Sequence, residues 1–225
     1  MKAIKSIFPL ICAVIFTYAL NRSWGTTPPF GKLLSPFHGF WVNAEKPETE
    51  EASLELVKIP GLKAEVQVVY DEMGVPHVFA KNDHDLFMAQ GYLTAKDRLW
   101  QMVMLRRTLQ GKLSEVFGAR TLEIDKLLRR LDLYTIAQQS VPAQDSRTQD
   151  LLRAYSEGVN ARIIEVGEKA LGRGAPEMFL FNQAIAPWTP ADSIAVLKAM
   201  ALQLSGGIGD EVLRAQVSLA LSDPA

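Results

Sequence analysis

Asp210 and Glu211 are the residues of this 225-residue chain whose type and placement most directly suggest chemistry. They follow the glycine-rich run Gly206-Gly207-Ile208-Gly209. Two readings are open. The pair can begin a helix, where Asp caps backbone N–H groups and Glu meets the positive end of the macrodipole. Alternatively, the carboxylates can offer oxygen ligands to a hard cation such as calcium. The glycine run makes a poor phosphate loop, because no strand precedes it and no Gly-Lys-Ser/Thr follows. A break between helices accounts for it better.

Other reactive groups form no recognisable constellation. The histidines are His38, His77 and His84, without HExxH spacing, which argues against a His-bound zinc. His77 lies in an apolar strand context and His84 in the first turn of a helix, both structural settings. Glu157 and Glu165 lack paired-carboxylate spacing, and no GxSxG occurs. The single cysteine, Cys12, excludes an internal disulfide framework and a Cys-rich metal site. A net charge of −1 without a basic run argues against nucleic-acid binding. With 48% hydrophobic residues the chain has material for a core.

The elements that must position these groups can be read from periodicity. Residues 1–20 place Lys2 and Lys5 before an apolar run from Ile7 to Leu20, the form of a secretory signal. It is either cleaved or retained as a single anchor. Residues 21–53 form an arm rich in proline and aromatics, including Trp24, Phe30, Phe37, Phe40 and Trp41. The arm packs on a surface, lies at a membrane interface, or serves as a flexible stalk.

The body spans 54–225. Leu54–Ile59, Glu65–Tyr70 and Val75–Ala80 read as a small antiparallel meander, with Pro76 at an edge or strand start. From Asn82 the period turns helical. Asp83 is the expected N-cap, a second stretch runs through Leu99 to Leu109, and Gly111 is its stop. Short helices are expected at Ser114–Phe117 and Glu123–Leu133. Ser146 to Gln149 and Thr189 to Asp192 have the form of capping boxes. The first opens a helix carrying Leu152, Tyr155, Val159 and Ile163. The second opens a helix to about Leu204, and Asp210 starts a last one to about Leu221. The fold class is thus α+β and mainly helical: an N-terminal helix, short antiparallel strands and a helical bundle. Three short strands make a weak sheet alone, so they are expected to complete a sheet begun elsewhere.

Several segments occur in an order that resembles a known family. They are Asp71-Glu72-Met73-Gly74-Val75-Pro76-His77-Val78-Phe79-Ala80, Leu86 to Tyr92, Asp97-Arg98-Leu99-Trp100-Gln101-Met102, Arg106-Arg107 with Gly111 to Gly118, and Pro187-Trp188-Thr189-Pro190-Ala191-Asp192. Over about residues 64–216 the chain resembles the penicillin acylase (penicillin amidase) family of N-terminal-nucleophile hydrolases.

That resemblance implies an exported precursor cut autocatalytically into an α and a β chain. It implies an αββα sandwich whose sheets need both chains, here present in part. The β chain's N-terminal Ser would be the nucleophile. Its own α-amino group, with a pKa near ~8, would be the base. The bond hydrolysed would be a linear amide of an N-acyl compound. Residue by residue, the pocket-lining positions fall on Ala201, Leu204 and Ser205. These are smaller than the Met, Arg and Phe of phenylacetyl-specific members, which implies a roomier or differently shaped acyl pocket. Glu211 falls where the family has a calcium-binding Glu, and this favours calcium over a simple helix start.

No catalytic residue is therefore expected in this chain, whose last residues, Leu219 to Ala225, contain no processing junction. The expected partners are a β chain of the same precursor and a small N-acyl amide, with membrane contact through the N-terminal segment and no nucleic acid. The expected location is the periplasm, free or anchored. The rival reading is a truncated, non-catalytic, membrane-tethered binding protein.

Overall fold

A tight turn begins the folded body. In the computed structural model, which describes residues 2–22, 24, 29–31, 34, 59–168, 185–205 and 207–221, strand β1 (Gln67–Tyr70) pairs antiparallel with β2 (Pro76–Phe79). The register sets Val68 opposite Val78 and Val69 opposite His77. Asp71 closes the turn by accepting from the N–H groups of Met73 and Val75, each at 2.9 Å. Gly74 has φ +74°, a conformation that favours glycine. Pro76 opens its strand, as expected. The expected meander has two strands among the described residues, since most of Leu54–Ile59 lies outside them.

Helix α1 (Lys2–Leu20) lies at the N-terminus. A transmembrane helix is not found: among the described residues no helix is long and apolar enough to cross a membrane. The physical reason is length. The apolar run from Ile7 to Leu20 rises only about 21 Å at ~1.5 Å per residue, short of a ~30 Å hydrocarbon core. Beyond residues 21, 22, 24, 29–31 and 34, the aromatic arm lies outside the described residues.

Helix α2 (Asp83–Leu109) is one continuous element of 27 residues, so the two expected stretches merge. Its N-cap is Asn82 rather than Asp83. The Asn82 Oδ1 accepts from the Asp85 N–H at 2.9 Å, which leaves Asp83 inside the first turn. Gly111 ends the run with φ +61°, and a Cβ there would lie 2.8 Å from the Asp125 carbonyl oxygen.

Helix α3 (Ser114–Phe117) and a 3-10 turn (Gly118–Thr121) lead into α4 (Leu122–Leu131) and α5 (Leu133–Ser140). The expected single helix over Glu123–Leu133 is divided at Asp132, which adopts φ +51°. Aspartate tolerates that left-handed region better than most residues. Helix α6 (Ser146–Glu168) is capped by Asp145, not Ser146. The Asp145 carboxylate accepts from both the N–H (2.9 Å) and the hydroxyl (2.7 Å) of Thr148. The expected loop at 167–174 lies largely outside the described residues. Helix α7 (Pro190–Leu204) begins at the expected Thr189–Asp192 capping box, and α8 (Ile208–Leu221) follows.

Helices α2 and α6 cross with their backbones almost touching. A Cβ on Gly91 would fall 2.1 Å from the Tyr155 carbonyl oxygen, and one on Gly158 would fall 1.9 Å from that of Met88. Around the crossing, Ala95, Leu99 and Val103 pack with Val159, Val166 and Trp188. A second cluster joins Leu109, Ala137, Ile194 and Ala195, so α2, α5 and α7 share a core.

The α2–α6 interface also buries Tyr92, whose hydroxyl donates to Glu165 Oε2 at 2.7 Å. Burial, then the bond to the Glu165 carboxylate, pushes the phenol up to about 12. The folded state therefore holds this proton at a pH where an unfolded tyrosine, with pKa about 10, has lost it. The stabilisation is full below about pH 10 and is lost as the pH rises through the folded value. Tyr92→Phe is expected to unfold with a flatter alkaline limb than the parent. Superimposable pH–stability curves would contradict this.

Candidate functional site

The motif Pro187-Trp188-Thr189-Pro190-Ala191-Asp192 folds into a buried polar knot that aims helix α7. Thr189 is extended (φ −122°, ψ 160°), and Pro190 takes the first helical position, where its missing N–H costs nothing. Asp192 Oδ2 accepts from the Thr189 N–H at 2.7 Å and from its hydroxyl at 2.9 Å. Asp192 Oδ1 accepts from the Tyr134 hydroxyl at 2.9 Å. Burial, followed by the Asp192 charge, raises the Tyr134 phenol above its ordinary value.

Arg106, from α2, is the cation of this knot. Its Nη1 donates to the carbonyl oxygens of Ala186 and Pro187, each at 3.0 Å. The same atom lies 3.8 Å from Asp192 Oδ2, and the guanidinium stands 5.4 Å over the Trp188 ring. Trp188 is held further by Asn160 of α6. The Trp188 N–H donates to Asn160 Oδ1 at 2.6 Å, and Asn160 Nδ2 donates to the Trp188 carbonyl at 2.9 Å. Arg106 is 5% exposed and Asp192 is 1% exposed. Charges so deeply buried are tolerated because each meets its opposite and several hydrogen bonds.

Ala201, Leu204 and Ser205 occupy the far end of α7. Their i, i+3 and i+4 spacing puts them on one face of its last turn. All three are exposed, Leu204 to 84%. The Ser205 N–H donates to the Ala201 carbonyl at 2.9 Å and closes the helix. The three positions expected to line a pocket thus stand together on a projecting helix end, about three turns from the Arg106–Asp192 knot.

Glu211 lies on the next helix. Here α8 starts at Ile208, two residues before the expected Asp210, so Asp210 and Glu211 fill the first turn instead of capping it. The Glu211 N–H donates to the Gly207 carbonyl at 2.8 Å, and its exposed carboxylate accepts from Arg214 Nη1 at 2.8 Å. Calcium takes about 6–8 oxygen ligands. Among the described residues no cluster of three His, Cys, Asp or Glu could hold a metal ion. The described residues do not compose a calcium site by themselves.

His77 and His84 each stand beside a carboxylate. His77 Nε2 lies 3.1 Å from Asp71 Oδ2. His84 Nδ1 lies 3.0 Å from Asp85 Oδ1, with its Nε2 3.5 Å from Glu157.

Two carboxylates that sequence reasoning passed over turn out to be buried latches. Asp85 accepts from the N–H groups of Lys63 and Ala64, each at 2.9 Å, and from Asn82 Nδ2 at 2.7 Å. Burial alone would raise its pKa, but these bonds and His84 outweigh burial and hold it well below the ordinary carboxylate range. Asp125 accepts from the N–H groups of Leu113 (2.9 Å) and Ser114 (2.8 Å) and from the Ser114 hydroxyl. Here too burial is outweighed and the pKa is lowered. The available signal was Asn82-x-x-Asp85, a capping-box form one residue earlier than the cap expected at Asp83.

Known proteins are similar to this chain in sequence and in fold. A family model described as penicillin amidase matches residues 65–224. The penicillin acylase 2 proenzyme of Pseudomonas sp. (strain SE83) is 38% identical over 149 residues, covering 65% of this chain and 18% of that protein. Acyl-homoserine lactone acylase QuiP of Pseudomonas syringae pv. tomato is 31% identical over 166 residues, covering 74% of this chain and 20% of that protein. The chain thus spans about a fifth of the length of these relatives. A solved chain of the thermostable penicillin G acylase from Alcaligenes faecalis aligns with TM-score 0.53 and 27% identity, covering 72% of this chain and 93% of that one.

Proposed function

The chain belongs to the penicillin amidase family, and on that premise we propose that it is the α-chain portion of an exported, periplasmic hydrolase of linear N-acyl amides. Its α7 end shapes the acyl pocket through Ala201, Leu204 and Ser205. The nucleophilic Ser belongs to a β chain cut from the same precursor. That Ser adds to the amide carbonyl, its α-amino group carries the proton to the leaving amine, and water then releases the acid.

The observation that carries this reading is a contrast in coverage. The chain matches 93% of one solved chain of a penicillin G acylase but 18% of a penicillin acylase proenzyme. It corresponds in extent to one chain of a two-chain enzyme. The named substrates of the relatives differ, a penicillin in one and an acyl-homoserine lactone in the other. An N-acyl amide is what they share, and it is the substrate class proposed here.

The test compares this chain alone with the processed two-chain enzyme. Release of free amine from a penicillin and from an acyl-homoserine lactone is measured. No turnover is expected from the chain alone, and turnover from the assembly. Hydrolysis by the isolated chain would overturn the assignment of the nucleophile.

Calcium enters as a structural ion shared between chains. Glu211 would offer one carboxylate to the ion, and the β chain would supply the remaining oxygens. In the two-chain enzyme Glu211→Ala is expected to lower bound calcium per molecule, read by elemental analysis. Equal metal content in parent and variant would sink the role of Glu211.

A further inference from the structure

Helix α7 is gripped at one end only. Ala191, Asp192, Ile194 and Ala195 are buried, whereas Leu197, Met200 and Leu204 are exposed. Val196 and Ala199 also pack against the core clusters, so the direction of its far end is set by the packing and polar contacts of its first three turns. Asp192 and Leu204 are separated by about 18 Å at ~1.5 Å per residue, so a tilt of roughly 10° at the root displaces the tip by about 3 Å. A misplacement of ~1 Å at a reacting centre can cost on the order of 100-fold in rate.

We infer that Arg106 is a positioning residue for acyl-group selection, acting through α7 on the pocket it shapes. The inference rests on the reading that Ala201, Leu204 and Ser205 line that pocket. Arg106 is buried at the root of α7. It fixes the segment entering α7 by its bonds to the Ala186 and Pro187 carbonyls, and the first turn by its charge beside Asp192. Trp188 lies under the guanidinium and donates its indole N–H to Ser193 Oγ at 3.0 Å, so the same side chain grips α7 from a second direction. Tyr134 of α5 holds the other Asp192 oxygen.

A planar guanidinium can meet carbonyls, carboxylate and ring face together, and a lysine ammonium cannot reproduce that set. Arg106→Lys thus keeps the charge but loosens the aim of the helix. A merely structural residue would lower activity on every substrate by one factor. A residue that aims a pocket wall changes the preference between acyl groups.

The experiment uses the processed two-chain enzyme and two N-acyl amides that differ only in a short or a long acyl group. The ratio of their kcat/KM values is measured for the parent, Arg106→Lys, Tyr134→Phe and Leu204→Phe. Arg106→Lys is expected to shift the ratio by about tenfold or more, carried mainly in KM, and Tyr134→Phe to shift it the same way by less. If Arg106→Lys does not fold or mature, Tyr134→Phe alone decides. A ratio that moves in Leu204→Phe but stays at the parental value in both knot variants overturns the role of Arg106 and leaves the pocket assignment standing. A uniform fall on both amides also overturns it. A ratio unmoved by Leu204→Phe defeats the pocket assignment, and the inference with it.

Discussion

Gly158→Ala is expected to destabilise the fold by about 3 kcal/mol or more, although alanine is the better helix former. Two effects oppose each other. Replacing a mid-helix glycine gains about 1 kcal/mol in helix propensity. Against it, the added Cβ would stand 1.9 Å from the Met88 carbonyl oxygen and 2.8 Å from the Tyr92 nitrogen. Ordinary contact begins at 3.4 Å, so α2 and α6 must part by the difference. A gap of even 0.5–1 Å forfeits roughly a quarter to a half of the dispersion energy across an interface. Ala95, Leu99, Val103, Val159 and Val166 all pack in the surrounding cluster, so the loss exceeds the gain. The midpoint of thermal unfolding should fall by about 6–12 °C. A midpoint that rises would show that the helices separate at little cost.

Removing the Asp85 carboxylate should have an effect of similar size, confined to one end of the body. Asp85→Ala leaves the N–H groups of Lys63 and Ala64, which point at this buried carboxylate, without their acceptor. Each unsatisfied group costs about 1–3 kcal/mol. The expected result is a loss of about 2–5 kcal/mol, with new proteolytic cleavage near residues 59–66. The pH dependence separates charge from packing. Because the folded pKa is depressed, the carboxylate stabilises fully above its unfolded value of about 4, and the contribution fades as the pH falls toward the lower folded value. The stability gap between the parent and Asp85→Asn should therefore be full at neutral pH and shrink below about pH 4. A gap independent of pH would refute the electrostatic account.

These two sites also mark where sequence reading stops. Local chemistry was legible. The Thr189–Asp192 box and the glycine stop at Gly111 each formed where expected, and the turn between the strands falls in the gap left between Tyr70 and Val75. Elements fixed by distant partners were not. Asp85 reads as one more acid in a first turn until Lys63 and Ala64 arrive beside it. Gly91 and Gly158 read as weak points in two helices until those helices cross. Asp132 looks like an ordinary helical residue, and its left-handed conformation splits a helix that periodicity ran straight through. The pocket positions came from resemblance, since nothing local distinguishes Ala201, Leu204 and Ser205. Arg106 stands out in the sequence only as part of a motif, because its role depends on the carbonyls of Ala186 and Pro187, some 80 residues away.

The crossing of α2 and α6 limits how this sequence can diverge. In most cores a large residue gained on one side is accommodated by a smaller one opposite. Here each glycine faces a backbone carbonyl, the same atom whatever the residue bearing it. No exchange at Tyr155 makes room for a side chain at position 91, and none at Met88 makes room at 158. The two glycines cannot rescue one another, so drift at either position is blocked unless the helices change their separation. Relatives that keep this interhelical distance should keep both glycines independently, without the paired substitutions by which contacting residues usually reveal each other.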